Sequence, residues 1–155
     1  MGKLKLPQAF SASALNDIFC KIPFNHALGA ELFSVEEDHV VVHFDMKKDL
    51  VGNFFHGILH GGVISAVLDA TAGAAVLADA LQKYPTKNVA ELTTILSKTS
   101  TVDLHIHFIR PGKGERFISK AWVTHSGNKL SFARMELYNQ DFTLIATGSA
   151  TYLLG

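Results

Sequence analysis

Apolar and polar positions change rhythm along this chain, and the changes predict its elements. Phe10, Ala14, Leu15, Ile18, Phe19 and Ile22 recur at helical spacing, which predicts an amphipathic helix within residues 1–22, ending near Pro23. Phe24 to Gly29 reads as a short turn closed by glycine, and Asp49 to Leu59 as a loop. Glu31 to Glu36 and His39 to Met46 read as strands joined at Glu37-Asp38; in the second, Val40, Val42, Phe44 and Met46 share one face. Residues 62–82 are apolar almost all round, so they form a long helix that must be covered on most sides. Asn88 to Lys98 fits a second, exposed helix. From Thr101 the period becomes two, with Val102, Leu104, Ile106 and Phe108 on one face. Strands over Arg116–His125, Lys129–Asn139 and Phe142–Leu153 follow, separated by short turns. Runs of strands on either side of one long helix indicate an α+β fold: one curved antiparallel sheet around a central helix.

Composition narrows the class. The 155 residues suit a single domain over 1–155 with a sizeable core. Lys+Arg and Asp+Glu both total 14, so no net field draws the chain to nucleic acid or to an anionic membrane. The single cysteine, Cys20, precludes an internal disulfide and points to a reducing, cytoplasmic setting. The apolar run from Val63 to Leu81 approaches the length of a membrane span. Asp69 and Asp79 interrupt it and basic flanking anchors are missing, so a buried helix is the better reading. Charged residues make up only 18%, which fits a surface partly covered by another subunit.

The chemistry concentrates in "GILHGGVISAVLDATAG", residues 57–73. His60-Gly61-Gly62 opens the long helix, where backbone N–H groups are unpaired and the helix dipole is positive. Glycine lets a substrate carbonyl approach those amides, as an oxyanion hole requires. Asp69 then places a carboxylate in the apolar helix, on one stripe with the small residues Gly62, Ala66 and Gly73. A purely structural partner, Thr71 or a neighbouring strand, would also account for it. Gly61 and Asp69 are eight residues apart, roughly 12 Å along a helix. One chain therefore cannot bring both to one carbonyl. Two antiparallel copies of the helix about a two-fold axis can, which predicts composite sites in a homodimer or a dimer of dimers.

This segment, with "TVDLHIHFIRPGKGE" and "HSGNKLSFARMELYNQDFTLIATGSATYLLG", resembles the hotdog-fold acyl-CoA thioesterases of the PaaI-like branch. With "IPFNHALGAEL" at its start, the chain is most similar to their YigI-like medium- and long-chain members, over about Pro23 to Gly155. The resemblance implies a hotdog fold and hydrolysis of acyl-CoA to fatty acid and CoA without a cofactor or metal. It implies that the Gly61 amide polarises the thioester carbonyl and that Asp69 is general base or nucleophile. It further implies that Thr101 helps hold the water, that His60 positions the glycine pair, and that Asn53 belongs to the upstream loop. Asn53 precedes His60 by seven residues where many relatives have six, so Asn53 and His56 compete for one role.

The CoA phosphates need cations, and Arg110, Lys113, Arg116 and Lys129 lie near strand ends and turns. Apolar residues of the N-terminal helix, with Phe54 and Phe55, are expected to line a tunnel for the acyl chain, and Gly62 and His56 are expected to help bind the substrate. His56/His60 and His105/His107 have spacings that metals use, but no third ligand converges, and no Gly-x-Ser-x-Gly elbow or phosphate loop is present. A non-catalytic acyl-CoA or fatty-acid binding protein on the same fold is the alternative; it would have no need of Asp69.

Overall fold

The computed structural model describes residues 11–83 and 89–155. Helix α1 spans Ala12–Lys21, with Ser11 Oγ capping the N–H of Ala14. The first ten residues of the expected 1–22 helix lie outside the described residues, as does Asn88. The segment expected as a turn is a second helix, α2 (Pro23–Leu28). Proline at its first turn is preorganised for a helix start, and Gly29 ends it at φ 70° in the left-handed region.

Strands β1 (Glu31–Val35) and β2 (Val40–Asp45) follow. The expected loop 49–59 is more ordered than its glycines suggest. A 3₁₀ turn at Lys48–Leu50 leads into a ribbon of β3 (Val51–Asn53) and β4 (Ile58–Leu59). Next come α3 (Gly61–Lys83), α4 (Val89–Lys98), β5 (Ser100–Phe108), β6 (Arg116–Ser126), β7 (Leu130–Asn139) and β8 (Leu144–Leu153). Helix α3 begins one residue before the expected 62–82, so Gly61 is its first residue.

The six long strands form one antiparallel sheet in the order β1-β2-β6-β7-β8-β5. Its inner face carries Val40, Val42, Phe44, Phe117, Met135, Leu137 and Ile145, all buried. Helix α3 presses Val67, Leu68, Ala72, Ala75 and Val76 into that core. Its length and apolarity would also suit a membrane span, but here the sheet covers its apolar side. Thr71, fully buried, bonds to Ser119 of β6 at 2.7 Å, so it is engaged with the sheet and not with Asp69. Helix α1 docks on the edge of the sheet through Asn16, whose Oδ1 accepts the Leu32 N–H at 2.8 Å.

One irregularity decides where the chemistry points. In β5 the pairing with β8 slips between Thr101↔Tyr152 and Asp103↔Thr151, leaving Val102 as a bulge. Strict alternation would set Thr101 on the outer face with Asp103, His105 and His107. The bulge reverses the phase and turns Thr101 inward, opposite the buried Tyr152.

Candidate active site

Asp69 lies on the side of α3 facing β5 and β8. Its Oδ1 accepts hydrogen bonds from the Thr101 hydroxyl at 2.9 Å and the Tyr152 hydroxyl at 2.7 Å. The Tyr152 oxygen is also 2.8 Å from the Asp69 main-chain oxygen. Burial, and then the neighbouring Asp69 charge, push the Tyr152 hydroxyl pKa far upward, so it stays a donor. With Oδ1 held twice, Oδ2 has no hydrogen-bond partner among the described residues. A carboxylate fixed on one oxygen and free on the other can take a proton or attack.

Asp69, Thr101 and Tyr152 border a cavity of about 600 Å³. Its floor is the small-residue stripe of α3: Ala66, Ala70, Gly73 and Ala74, then Leu77. Leu15 and Ile18 of α1, Ile22 between α1 and α2, and Leu96 of α4 form much of the remaining wall. The lining is mostly apolar, and the acid sits on its border. Such a cavity suits an aliphatic chain.

The His60-Gly61-Gly62 start lies elsewhere. His60 Nδ1 accepts the Gly62 N–H at 2.8 Å, and the His60 carbonyl accepts from Val63 and Ile64. The imidazole thus caps the helix, and Gly61 N–H keeps no acceptor among the described residues. Gly61 borders a pocket together with Ile58, Phe108 and Arg110. A Cβ on Gly61 would come within 3.3 Å of the Phe108 ring. Gly52 of the ribbon lies under His60: a Cβ there would fall 2.4 Å from His60 Cα. Only glycine fits, so the ribbon positions the cap. Beside this pocket, sharing Arg110 and Pro111 with it, is a polar cleft of about 640 Å³ bordered also by His56 and Lys113 and by the acids Glu115 and Asp141.

Comparison with known proteins shows the family. A match to the Thioesterase superfamily spans residues 56–146. The medium/long-chain acyl-CoA thioesterase YigI of Escherichia coli (strain K12) is 40% identical over 134 residues, 86% of each chain. The chain belongs to the thioesterase superfamily. The protein of the same name from Salmonella typhimurium (strain LT2) is equally similar, at 40% over 86% of each chain. The crystal structure of a Shewanella oneidensis protein related to the thioesterase superfamily superposes with a TM-score of 0.89 at 35% identity, covering 97% of this chain and all of that one. The Escherichia coli PaaI protein shares the fold, with a TM-score of 0.72 at 18% identity and 93% coverage of both chains. This thioesterase is a thioester hydrolase of hotdog fold.

The structure sorts the residues expected at the site. It brings Thr101 to Asp69, and His60 to Gly61 and Gly62. It keeps those two groups apart within one chain. Thr101 and Phe108, their neighbours on β5, are separated by seven residues of strand, roughly 23 Å. Asn53 Oδ1 accepts the Phe55 N–H, and its carbonyl those of His56 and Gly57, so its side-chain oxygen shapes the ribbon turn. Phe54 and Phe55 do not line the acyl-sized cavity of their own chain. Their rings meet at a tilt of 31° at the ribbon tip, 80% and 82% exposed.

Arg110 and Lys113 share the polar cleft with His56, whereas two other expected cations do not. Arg116 is bound to Asp45 at 2.8 Å and holds that carboxyl below the usual carboxylate range. Lys129 precedes β7, whose ten residues separate it by roughly 30 Å from the Lys113 end. The N-terminal helix lines the cavity as expected, whereas Tyr152, Gly52 and the α4 side of the wall went unrecognised in the sequence. Their roles depend on strand register and helix docking, and only the buried tyrosine in the last strand's alternation gave any signal.

Proposed function

We propose that this thioesterase hydrolyses medium- to long-chain acyl-CoA to fatty acid and CoA, at sites shared between two subunits, in the cytoplasm. The observation that carries this reading is the Asp69 carboxylate, held by Thr101 and Tyr152 on the border of an apolar cavity. A protein that only binds acyl chains needs the cavity but not a carboxylate presented beside it.

The two half-sites lie toward opposite ends of β5, an edge strand that exposes Val102 and Phe108, with Ile109 exposed just past its end. An apolar unpaired edge favours a second copy. Antiparallel pairing of two β5 strands about a two-fold axis sets Asp69 and Thr101 of one subunit beside Gly61 of the partner subunit. The acyl chain then enters the cavity of the first subunit. The CoA phosphates extend toward His56, Arg110 and Lys113 of the second, where a guanidinium and an ammonium suit a solvent-facing diphosphate.

In the reaction, the unpaired Gly61 N–H donates to the thioester oxygen, and the α3 dipole favours the negative charge that develops there. As general base, Asp69 Oδ2 takes a proton from water while the water oxygen attacks the carbonyl carbon. The tetrahedral oxyanion collapses, the C–S bond breaks, and the CoA sulfur receives the proton. As nucleophile, the same oxygen attacks the carbonyl carbon, the C–S bond breaks to release CoA thiolate, and water opens the resulting acyl anhydride to fatty acid and the Asp69 carboxylate, its proton passing to the thiolate. Both routes need Oδ1 held and Oδ2 free, and neither requires a metal.

Asp69→Ala tests the reading. It is expected to abolish thiol release from acyl-CoA while the protein still melts cooperatively. Full activity in the folded variant would refute the assignment.

A further inference from the structure

We infer that Gly73 and Leu77 form a gauge that sets the length of acyl chain the enzyme accepts. The inference rests on the acyl-CoA reading above. It starts from a misfit between Gly73 and its surroundings. Glycine is among the poorest helix formers, yet Gly73 occupies the interior of α3. Packing does not demand it. A Cβ at Gly73 would meet only Tyr152 Cε1, at an ordinary 3.9 Å, whereas a Cβ at Gly52, Gly112 or Gly148 would collide within 2.9 Å. Its φ is also not in the left-handed region. Neither backbone conformation nor crowding accounts for the glycine.

What Gly73 does border is the cavity, one helical turn beyond Asp69. At 1.5 Å per residue, Gly73 lies roughly 6 Å and Leu77 roughly 12 Å along the axis from the acid. A chain whose carbonyl sits at Asp69 and which runs along this face passes Ala70, Gly73 and Ala74 with nothing protruding. It then meets Leu77, the first large side chain on the stripe. On the opposite wall Ile18, Ile22 and Leu96 limit sideways escape. A bare Gly73 keeps the channel open to the far segment, and Leu77 defines where the segment narrows.

The test is a chain-length profile of kcat/KM by thiol release, from hexanoyl-CoA to palmitoyl-CoA, for the full-length wild type, Gly73→Ala, Gly73→Leu and Leu77→Ala. Gly73→Leu is expected to lower the palmitoyl-to-hexanoyl ratio by about tenfold or more, since each blocked methylene removes a packed contact. Gly73→Ala shifts the ratio the same way by less, and Leu77→Ala shifts the optimum toward longer chains. Melting curves identify any unfolded variant, and Gly73→Ala, which the space admits, keeps the test open if Gly73→Leu does not fold. A Gly73 series that lowers all chain lengths by one common factor, or leaves the ratio unchanged, overturns the gauge while the acyl-CoA reading stands. A folded wild type that releases no thiol from any acyl-CoA overturns the reading and the gauge with it.

Discussion

Replacing Tyr152 with phenylalanine removes one oxygen and keeps the ring. Tyr152 is only 3% exposed and packs in the core, so Tyr152→Phe leaves the apolar packing of β8 in place. What disappears is the hydroxyl 2.7 Å from Asp69 Oδ1, one of two donors to that atom. A hydrogen bond to a charged group is worth about 1.5–3 kcal/mol. If that whole amount serves to hold the carboxylate in its reactive orientation, kcat falls about ten- to hundredfold. KM changes little, because the cavity keeps its apolar lining and the cleft at Arg110 and Lys113 is untouched. Steady-state kinetics on a medium-chain acyl-CoA read the two constants separately. Thr101→Ala should act in the same sense. Because both hydroxyls serve one oxygen, the double variant should lose less or more than the product of the single losses, a coupling that independent sites do not show. Unchanged kcat in folded Tyr152→Phe would refute the argument that this hydroxyl positions Asp69.

Three further outcomes follow from the geometry. Gly61→Pro removes the oxyanion amide at a helix position that tolerates proline, with the exposed Phe108 ring free to give way. Mixed and exchanged with Asp69→Ala chains, it should restore about a quarter of the sites; proven heterodimers with no activity would exclude sites shared between subunits. Arg110→Ala with Lys113→Ala should raise KM for acyl-CoA several-fold, whereas Arg116→Ala, whose guanidinium is committed to Asp45, should leave it unchanged; equal effects on kinetics would remove the cleft from CoA binding. Burial and the adjacent Glu136 push the Tyr138 hydroxyl up to about 12, so the folded chain holds a proton that the unfolded chain releases near pH 10.0. That stabilisation is complete below about pH 10 and disappears as pH rises through about 12; melts in Tyr138→Phe should show a shallower alkaline decline, and an identical decline would refute the linkage.

The order of the six long strands and of the helices α1, α3 and α4, the central helix within one residue of its start, and the two chemical groups His60-Gly61 and Asp69 are legible in the one-dimensional pattern, whereas α2 and the β3–β4 ribbon are not. The reason is that a core-facing element must repeat its apolar residues at its own period, and a charge inside an apolar run stands out against that repeat. The eight-residue separation of Gly61 and Asp69 is also a property of the sequence alone, because helix rise is constant. Tertiary structure decided everything that depends on phase and docking. Alternation counted along β5 places Thr101 on the wrong face, and only the bulge at Val102 turns it to Asp69. Tyr152 reaches the acid from the far end of the chain because β8 pairs beside β5, a long-range pairing that no local pattern encodes. The cations divide in the same way: Arg110 and Lys113 border one cleft, while Arg116 is neutralised by a partner 71 residues away. The acyl-sized cavity exists only where α1 and α4 lie across the small face of α3. Periodicity identifies which residues are small and which are apolar; what those faces enclose is set by how the helices pack.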